Sequence, residues 1–371
     1  MYDYLIVGAG MFGSVFARLA TDDGKKCLVI DKRDHIAGNC YTEKQEGIHV
    51  HKYGPHIFHC NDEGIWNFVN RFAKFNNFRN QPISISGGKA YSLPFSMYTF
   101  NHMWGVTTPQ AAREVIASQK LDLKGEEPKN LEEQALSLVG VDIYEKLIRD
   151  YTAKQWKSDP RDLPASIIKR LPVRFTWDNN YFNDKYQGIP EGGYTALFEN
   201  MLEGIDVQTG VDYLNDRDVW NAKAKNIVFT GKIDEYFGYR FGELKYRTLD
   251  FETWVEDMEN YQGNAVVNYA DANVPWTRII EHKHFNPEIK TEVSVVTKEI
   301  PADWNSGKVP YYPINDDVNS LIFDKYRDLA SAEENVIFGG RLAEYKYYDM
   351  HQVIGSAMSK YRSLKKAADQ V

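Results

Sequence analysis

Apolar residues fill positions 4–7, glycines stand at 8, 10 and 13, and from Met11 apolar residues return at helical spacing. A continuous run giving way to an i, i+3, i+4 period predicts a buried strand that turns sharply into a helix. A second apolar run, 27–30, ends in Asp31. The far end of the chain repeats the arrangement: an apolar run to Phe338, then Gly339–Gly340–Arg341, then helical periodicity from about Asp349, a plausible N-cap. Between these ends the pattern changes. Residues 108–120 read as a helix with Pro109 in its first turn. In 130–156, Asn130 and Glu133 form a capping-box pattern, Gly140 closes a first helix, and a second puts Ile143, Leu147 and Tyr151 on one face. Alternation in 265–271 and 291–300 predicts antiparallel strands. No internal repeat, low-complexity tract or flexible linker is present.

These elements predict an α/β fold with α+β insertions: a Rossmann-like FAD-binding domain, a helical-bundle insertion and an antiparallel β-sheet domain. Residues 1–79, 201–238 and 313–371 are assigned to the first, 80–94 and 239–312 to the sheet, and 95–172 to the helices. The segment 173–200 is a mobile loop and substrate-side stretch. A chain of 371 residues is long for one core.

The glycines carry the first chemistry. Gly8 permits the tight turn, Gly10 lets backbone approach a pyrophosphate, and Gly13 lets the helix pack on the strand while its free amides receive the anion. Asp31, an acid at the end of the second strand, fits the ribose hydroxyls of an unphosphorylated adenosine. Gly38 and Asn39, after an Ala37 where such folds often have glycine, lie where a chain passes beside the pyrophosphate. With a second glycine-rich turn supplied by the other end of the chain, and a helix N-terminus to face a flavin pyrimidine, FAD is favoured over NAD.

Composition narrows the partners. A net charge of −8 argues against a nucleic-acid binder, so an anionic ligand must meet a local basic pocket. Three scattered cysteines without a CxxC pair indicate a reducing compartment and no structural zinc. No signal peptide or membrane span is read, which places the chain in the cytoplasm. His49, His51, His56 and His59 crowd 48–61, but alternation projects His49 and His51 together for packing or solvent, so no metal site is expected, and His56 and His59 are placed near a flavin edge. The stretch 170–190 mixes Arg170, Arg174 and Lys185 with Phe175, Trp177, Tyr181, Phe182 and Tyr186. Rings that stack on a base and guanidinium forks that bind phosphate oxygens suit a flat base joined to a diphosphate.

Taken in order, GAGMFG with Asp31, HKYGPHIFH, KQW, RLPVRFTWDNNYFNDKYQGIPEGGYTAL, RIIEHKHF, PYYPIN and GRLAEYKYYDM resemble the bacterial UDP-galactopyranose mutases from end to end. The resemblance implies an FAD enzyme, active when reduced, that interconverts UDP-galactopyranose and UDP-galactofuranose without net redox. In that family flavin N5 attacks the anomeric carbon, UDP leaves, and a flavin–sugar iminium allows ring contraction. It also implies a homodimer and a reductant such as NAD(P)H.

Carried onto this chain, the resemblance makes Arg170, Arg278 and His59 catalytic. It places Asn80, Tyr151, Thr152, Trp156, Tyr181, Phe182, Asn268, Tyr312 and Tyr347 against the substrate. The flavin falls to Gly8, Gly10, Phe12, Gly13, Ser14, Asp31, Lys32, Gly38, Asn39, His56, Ile57, Arg247, Gly340, Arg341, Tyr348, Asp349 and Met350. Two other readings remain: an amine or alcohol oxidase on the same fold, for which paired phosphate-binding arginines would be pointless, and a non-catalytic FAD- or nucleotide-binding protein.

Overall fold

The computed structural model describes residues 1–168 and 172–368. The apolar runs form a five-stranded parallel sheet in the order Val336–Phe338, Ala224–Phe229, Tyr2–Val7, Cys27–Ile30, Asp206–Gln208. Its central strands are continuous in apolar character because both faces are covered. On one side helix Met11–Asp22 packs against the C-terminal helix Met350–Ala368, with Phe16 edge-on to Tyr361. Tyr213, Trp220 and Tyr236 close the other side. The two ends of the chain therefore share one layer, and the carboxyl ends of the first two strands open on Gly8 and Asp31, where such sheets bind ligands.

A second sheet has seven strands: Tyr312–Pro313, Tyr246–Glu256, Ser294–Ala302, Arg278–Glu281, Val266–Tyr269, Ile83–Ser86 and Lys89–Ser92. The alternating segments at 265–271 and 291–300 supply two of them, both paired antiparallel to Arg278–Glu281. One pairing, Val266–Tyr269 with Ile83–Ser86, is parallel. Asn268 lies opposite Arg278, and Arg278 opposite Glu299, so the three side chains share one face in a line across the sheet.

The helices carry Asn130 as N-cap, its side chain accepting from Glu133 N–H, and Thr108 before Pro109. One expectation fails. Val141–Ile143 continues into a π-helical segment, Tyr144–Arg149, before the α-helix Asp150–Trp156. A wider turn breaks the 3.6-residue phase, as π segments do, often at functional sites. Ile143, Tyr144, Leu147 and Ile148 stay in the helical core, while Tyr151 is not among the residues packed there. The extra residue per turn rotates it away from the face it was expected to share.

Candidate active site

The glycine turn is built as its residue types require. A Cβ on Gly13 would lie 2.0 Å from Gly8 O and 2.9 Å from Ile6 Cγ2, so only glycine lets this helix meet the strand. Asp31 is buried; its Oδ2 accepts from Ala9 N–H at 2.8 Å and its Oδ1 from Arg33 N–H at 2.9 Å. Gly38 has φ +55°, and a Cβ there would come within 3.1 Å of Gly10 Cα. Two bare backbone stretches thus face each other beside a helix N-terminus. Phe12 lies under Gly339 and Gly340, and Ser14 bonds Ala9 O at 3.1 Å. Lys32 is exposed.

Arg33, which the sequence reading passed over, crosses the Tyr53 ring at 4.3 Å and donates Nη2 to Asn39 at 2.9 Å. Its buried Nη1 has no partner. A cradle of this shape with an orphaned guanidinium donor fits a dinucleotide pyrophosphate.

A second wall comes from the seven-stranded sheet. Arg278 donates Nε to Glu299 Oε1 at 3.0 Å and Nη2 to Oε2 at 2.6 Å, and Thr277 Oγ1 adds a bond to Oε1 at 3.2 Å. The Glu299 side chain is 1% exposed, that of Arg278 24%. Burial works against the arginine's charge, and Glu299 more than offsets it, so the guanidinium stays charged. Two of its five N–H groups are spent on Glu299, leaving three for a ligand. Glu299 was missed from sequence, although an acid on an inward-facing position of an otherwise buried strand signals that a cation must reach it.

Around this pair stand the aromatic residues. Burial raises the Tyr151 hydroxyl to about 12, and Arg278, Glu299, Tyr181 and Arg247 all act on it electrostatically. Tyr181 in turn is influenced by Arg278 and Asp349. Tyr312 and Tyr347 stack at 4.9 Å, with the Arg341 guanidinium 5.5 and 5.9 Å from their ring centres. Arg247 lies 4.3 Å over Trp156 and donates to Gln155 O. The structure therefore sets Arg247 against the rings of Trp156 and Tyr312. Thr152 and Asn80 are buried, and Asn80 O accepts Tyr181 N–H at 2.8 Å. Asn268 Oδ1 is buried without a partner. Arg174 donates to the carbonyls of Asn180 and Tyr181, fixing the turn that presents Tyr181. Arg170 lies outside the described residues.

Between the two walls lie the histidines. His56 Nδ1 bonds Gly54 O at 2.9 Å; a carbonyl only accepts, so Nδ1 carries the proton and Nε2 is an acceptor. Burial, aided by Arg341 and Arg278, pulls His56 down to about 4, so it is neutral at physiological pH. Its amide donates to His51 Nδ1, His51 N–H donates to His282 Nδ1, and His282 Nε2 meets Thr297 Oγ1 at 2.7 Å. This chain fixes the 51–56 turn. His59 Nδ1 meets Asp184 Oδ2 at 2.6 Å while Phe182 stacks on its face at 3.8 Å. Phe182 thus commits one face to His59. Ile57 packs against the cluster of Ile189 and Phe285, the Tyr348 carbonyl accepts from Arg341, and Cys40 Sγ lies 3.8 Å from Met350 Sδ. The four histidines of 48–61 do not gather as one ligand set. Among the described residues, potential metal ligands of His59, Asp349 and His351 lie within 4.8 Å of one another.

The neutral histidines make stability depend on acid. Burial lowers His282 to about 3. Below the ordinary value of 6.5 the unfolded chain takes up protons that the folded chain refuses. Each such histidine therefore costs stability as pH falls, about 1.4 kcal/mol per pH unit, until its folded pKa is reached. The melting temperature should drop between about pH 6.5 and 4. His282→Gln should start less stable near neutrality yet lose less across that interval; parallel curves for variant and wild type would contradict this origin.

Comparison with known proteins shows what the chain as a whole is similar to. A family model described as UDP-galactopyranose mutase matches residues 146–347, and one for an NAD(P)-binding Rossmann-like domain matches residues 6–72. The chain is 42% identical to a probable UDP-galactopyranose mutase of Klebsiella pneumoniae, over 95% of this chain and 92% of the relative. It is 41% identical to a dTDP-fucopyranose mutase of Escherichia coli, covering 96% and 97%. A crystal structure of a reduced UDP-galactopyranose mutase superposes with a TM-score of 0.77 at 13% identity, over 100% of this chain and 94% of that one. A putative protoporphyrinogen oxidase from Exiguobacterium gives 0.64 at 12%, covering 99% of both chains; at that identity the likeness is one of fold.

Proposed function

Because this chain belongs to the UDP-galactopyranose mutase family, and so to the isomerases, we propose that it interconverts UDP-galactopyranose and UDP-galactofuranose with reduced FAD as cofactor. The observation that carries the reading is the Arg278–Glu299 pair, set among Tyr151, Tyr181 and Tyr312 within reach of the histidine turn. A guanidinium pinned on one side by a buried carboxylate offers its remaining N–H groups at a fixed angle, which suits a diphosphate. Tyrosine rings beside it accept the base and sugar. As the bond from the anomeric carbon to the diphosphate breaks, Arg278 stabilises the charge that collects on the phosphate oxygens. Arg170 is the proposed second phosphate-binding group, supported by the resemblance of its segment. When bound and reduced, FAD supplies an electron-rich nitrogen as nucleophile. His56, neutral and with a free acceptor nitrogen, orients hydrogen-bond donors without adding charge, and His59 is held in one orientation by Asp184. Gly8, Gly10, Gly13, Gly38, Asn39 and Arg33 would hold the dinucleotide; Gly340, Arg341 and Asp349 would hold its ring end.

The three cysteines are free and buried, which accords with a reducing compartment, and we place the enzyme in the cytoplasm as a homodimer served by an external reductant.

Two relatives of nearly equal identity, the probable UDP-galactopyranose mutase and the dTDP-fucopyranose mutase, are named for nucleotide sugars that differ in both base and hexose, so the substrate is tested directly. Dithionite-reduced protein is offered UDP-galactofuranose and dTDP-fucofuranose separately, and the nucleotide sugars are resolved chromatographically. We expect the higher kcat/KM with the UDP sugar; conversion of the dTDP sugar alone would overturn the assignment. An oxidase would instead consume oxygen with a neutral or amine substrate, and a non-catalytic binder would yield no product.

A further inference from the structure

Lys154 stands on helix Asp150–Trp156 between Tyr151 and Trp156 and is assigned no role by the family reading. Its Nζ points off that helix into the turn that links strands Val266–Tyr269 and Arg278–Glu281. There it lies 2.7 Å from Tyr269 O, 2.9 Å from Asp271 O and Val274 O, and 3.2 Å from Trp276 O. Among the described residues no carboxylate bonds it directly. An ammonium has three N–H groups and these meet four carbonyls, so the group acts as an internal cation that gathers a whole turn around itself. Burial lowers the pKa of this lysine to about 8, while Asp271 and Asp150 act in the opposite direction. Four carbonyl acceptors also favour the charged form, because a neutral amine has only two N–H groups to give.

The placement has a consequence. Asn268 is the third residue of one strand flanking the turn, and Arg278 the first residue of the other. Tyr151, Thr152 and Trp156 lie on the helix that Lys154 belongs to. We propose that Lys154 is a positioning residue for substrate: its ammonium locks the aromatic helix to the turn that presents Arg278 and Asn268, and so sets the width of the nucleotide-sugar site. Arg247 makes a second tie to this helix, at Gln155 O, but from strand Tyr246–Glu256, and Arg278 is fixed within its own sheet by Glu299. What that sheet bond cannot fix is the distance to the helix.

The inference rests on the reading of the site as one for a nucleotide sugar, so wild type is assayed in parallel; if wild type converts no nucleotide sugar, that reading fails and not this one. Lys154→Met keeps the alkyl stem and removes the cation. It should raise KM for the furanose substrate about 10–100-fold while kcat changes little and flavin content stays at the wild-type level, since no reacting atom is touched. Lys154→Gln, the milder change, retains two N–H donors without charge and should give an intermediate KM. That graded recovery, together with the split between KM and kcat, is not what general loosening of the fold produces. A wild-type KM in either folded variant, or a KM that rises only in step with lost flavin, overturns the proposal.

Discussion

Arg278→Ala should lose about 10²–10³-fold in turnover, the usual cost of removing one preorganised donor from developing charge. The structure adds a complication that sharpens the experiment. Glu299 is almost wholly buried, and in the variant its carboxylate keeps, among the described residues, Thr277 as its one partner. Breaking a buried pair from one side typically costs about 3–5 kcal/mol. A simple loss of activity would therefore mix lost catalysis with a destabilised sheet. The double variant Arg278→Ala, Glu299→Gln separates them: neutralising the stranded acid should restore much of the melting temperature and none of the turnover. If turnover returned with stability, Arg278 would be a structural partner of Glu299 and the phosphate-binding role would be lost.

Gly13→Ala should yield protein largely free of flavin. The added methyl would meet backbone, with Gly8 O at 2.0 Å, and the Ile6 side chain at 2.9 Å. Backbone of this kind cannot yield without moving the helix away from the strand. That movement would also displace the Gly10 amide from the facing Gly38, which is where the pyrophosphate is expected to lie. The visible absorbance of the purified variant reports the outcome at once. Gly24→Ala is the matched control: no atom would lie within 4 Å of its added methyl, although its own φ of +78° makes alanine mildly strained. It should retain flavin. Normal flavin loading in the Gly13 variant would remove the glycine turn from the cofactor site.

What the sequence disclosed, and what it concealed, divides by range. The glycine turn, Asp31, the Asn130 cap, the helix opened by Pro109 and the two-ended parallel sheet are local patterns, each readable because a short stretch dictates its own conformation. The resemblance then pointed to Arg278, Tyr151 and Tyr312, which the structure brings into electrostatic contact across strands and helix. The phase of Tyr151 was misjudged because a uniform helical period was applied across a π segment, and nothing in the residue types of 144–149 announces the wider turn. Glu299 was concealed by a 21-residue separation, and Asp184 by a pairing of strands only three residues long. Lys154 was hidden for a deeper reason: its partners are carbonyl groups, which every residue has, so no pattern of side chains can reveal them.

The most direct test of the central claim is the fate of both sugar and flavin in one vessel. Holoprotein reduced with dithionite and kept anaerobic is given UDP-galactofuranose, and the reaction is followed by chromatography and by flavin absorbance together. Accumulation of UDP-galactopyranose while the flavin remains reduced is the predicted result. An unchanged furanose, or a product formed only as the flavin is oxidised, would contradict it.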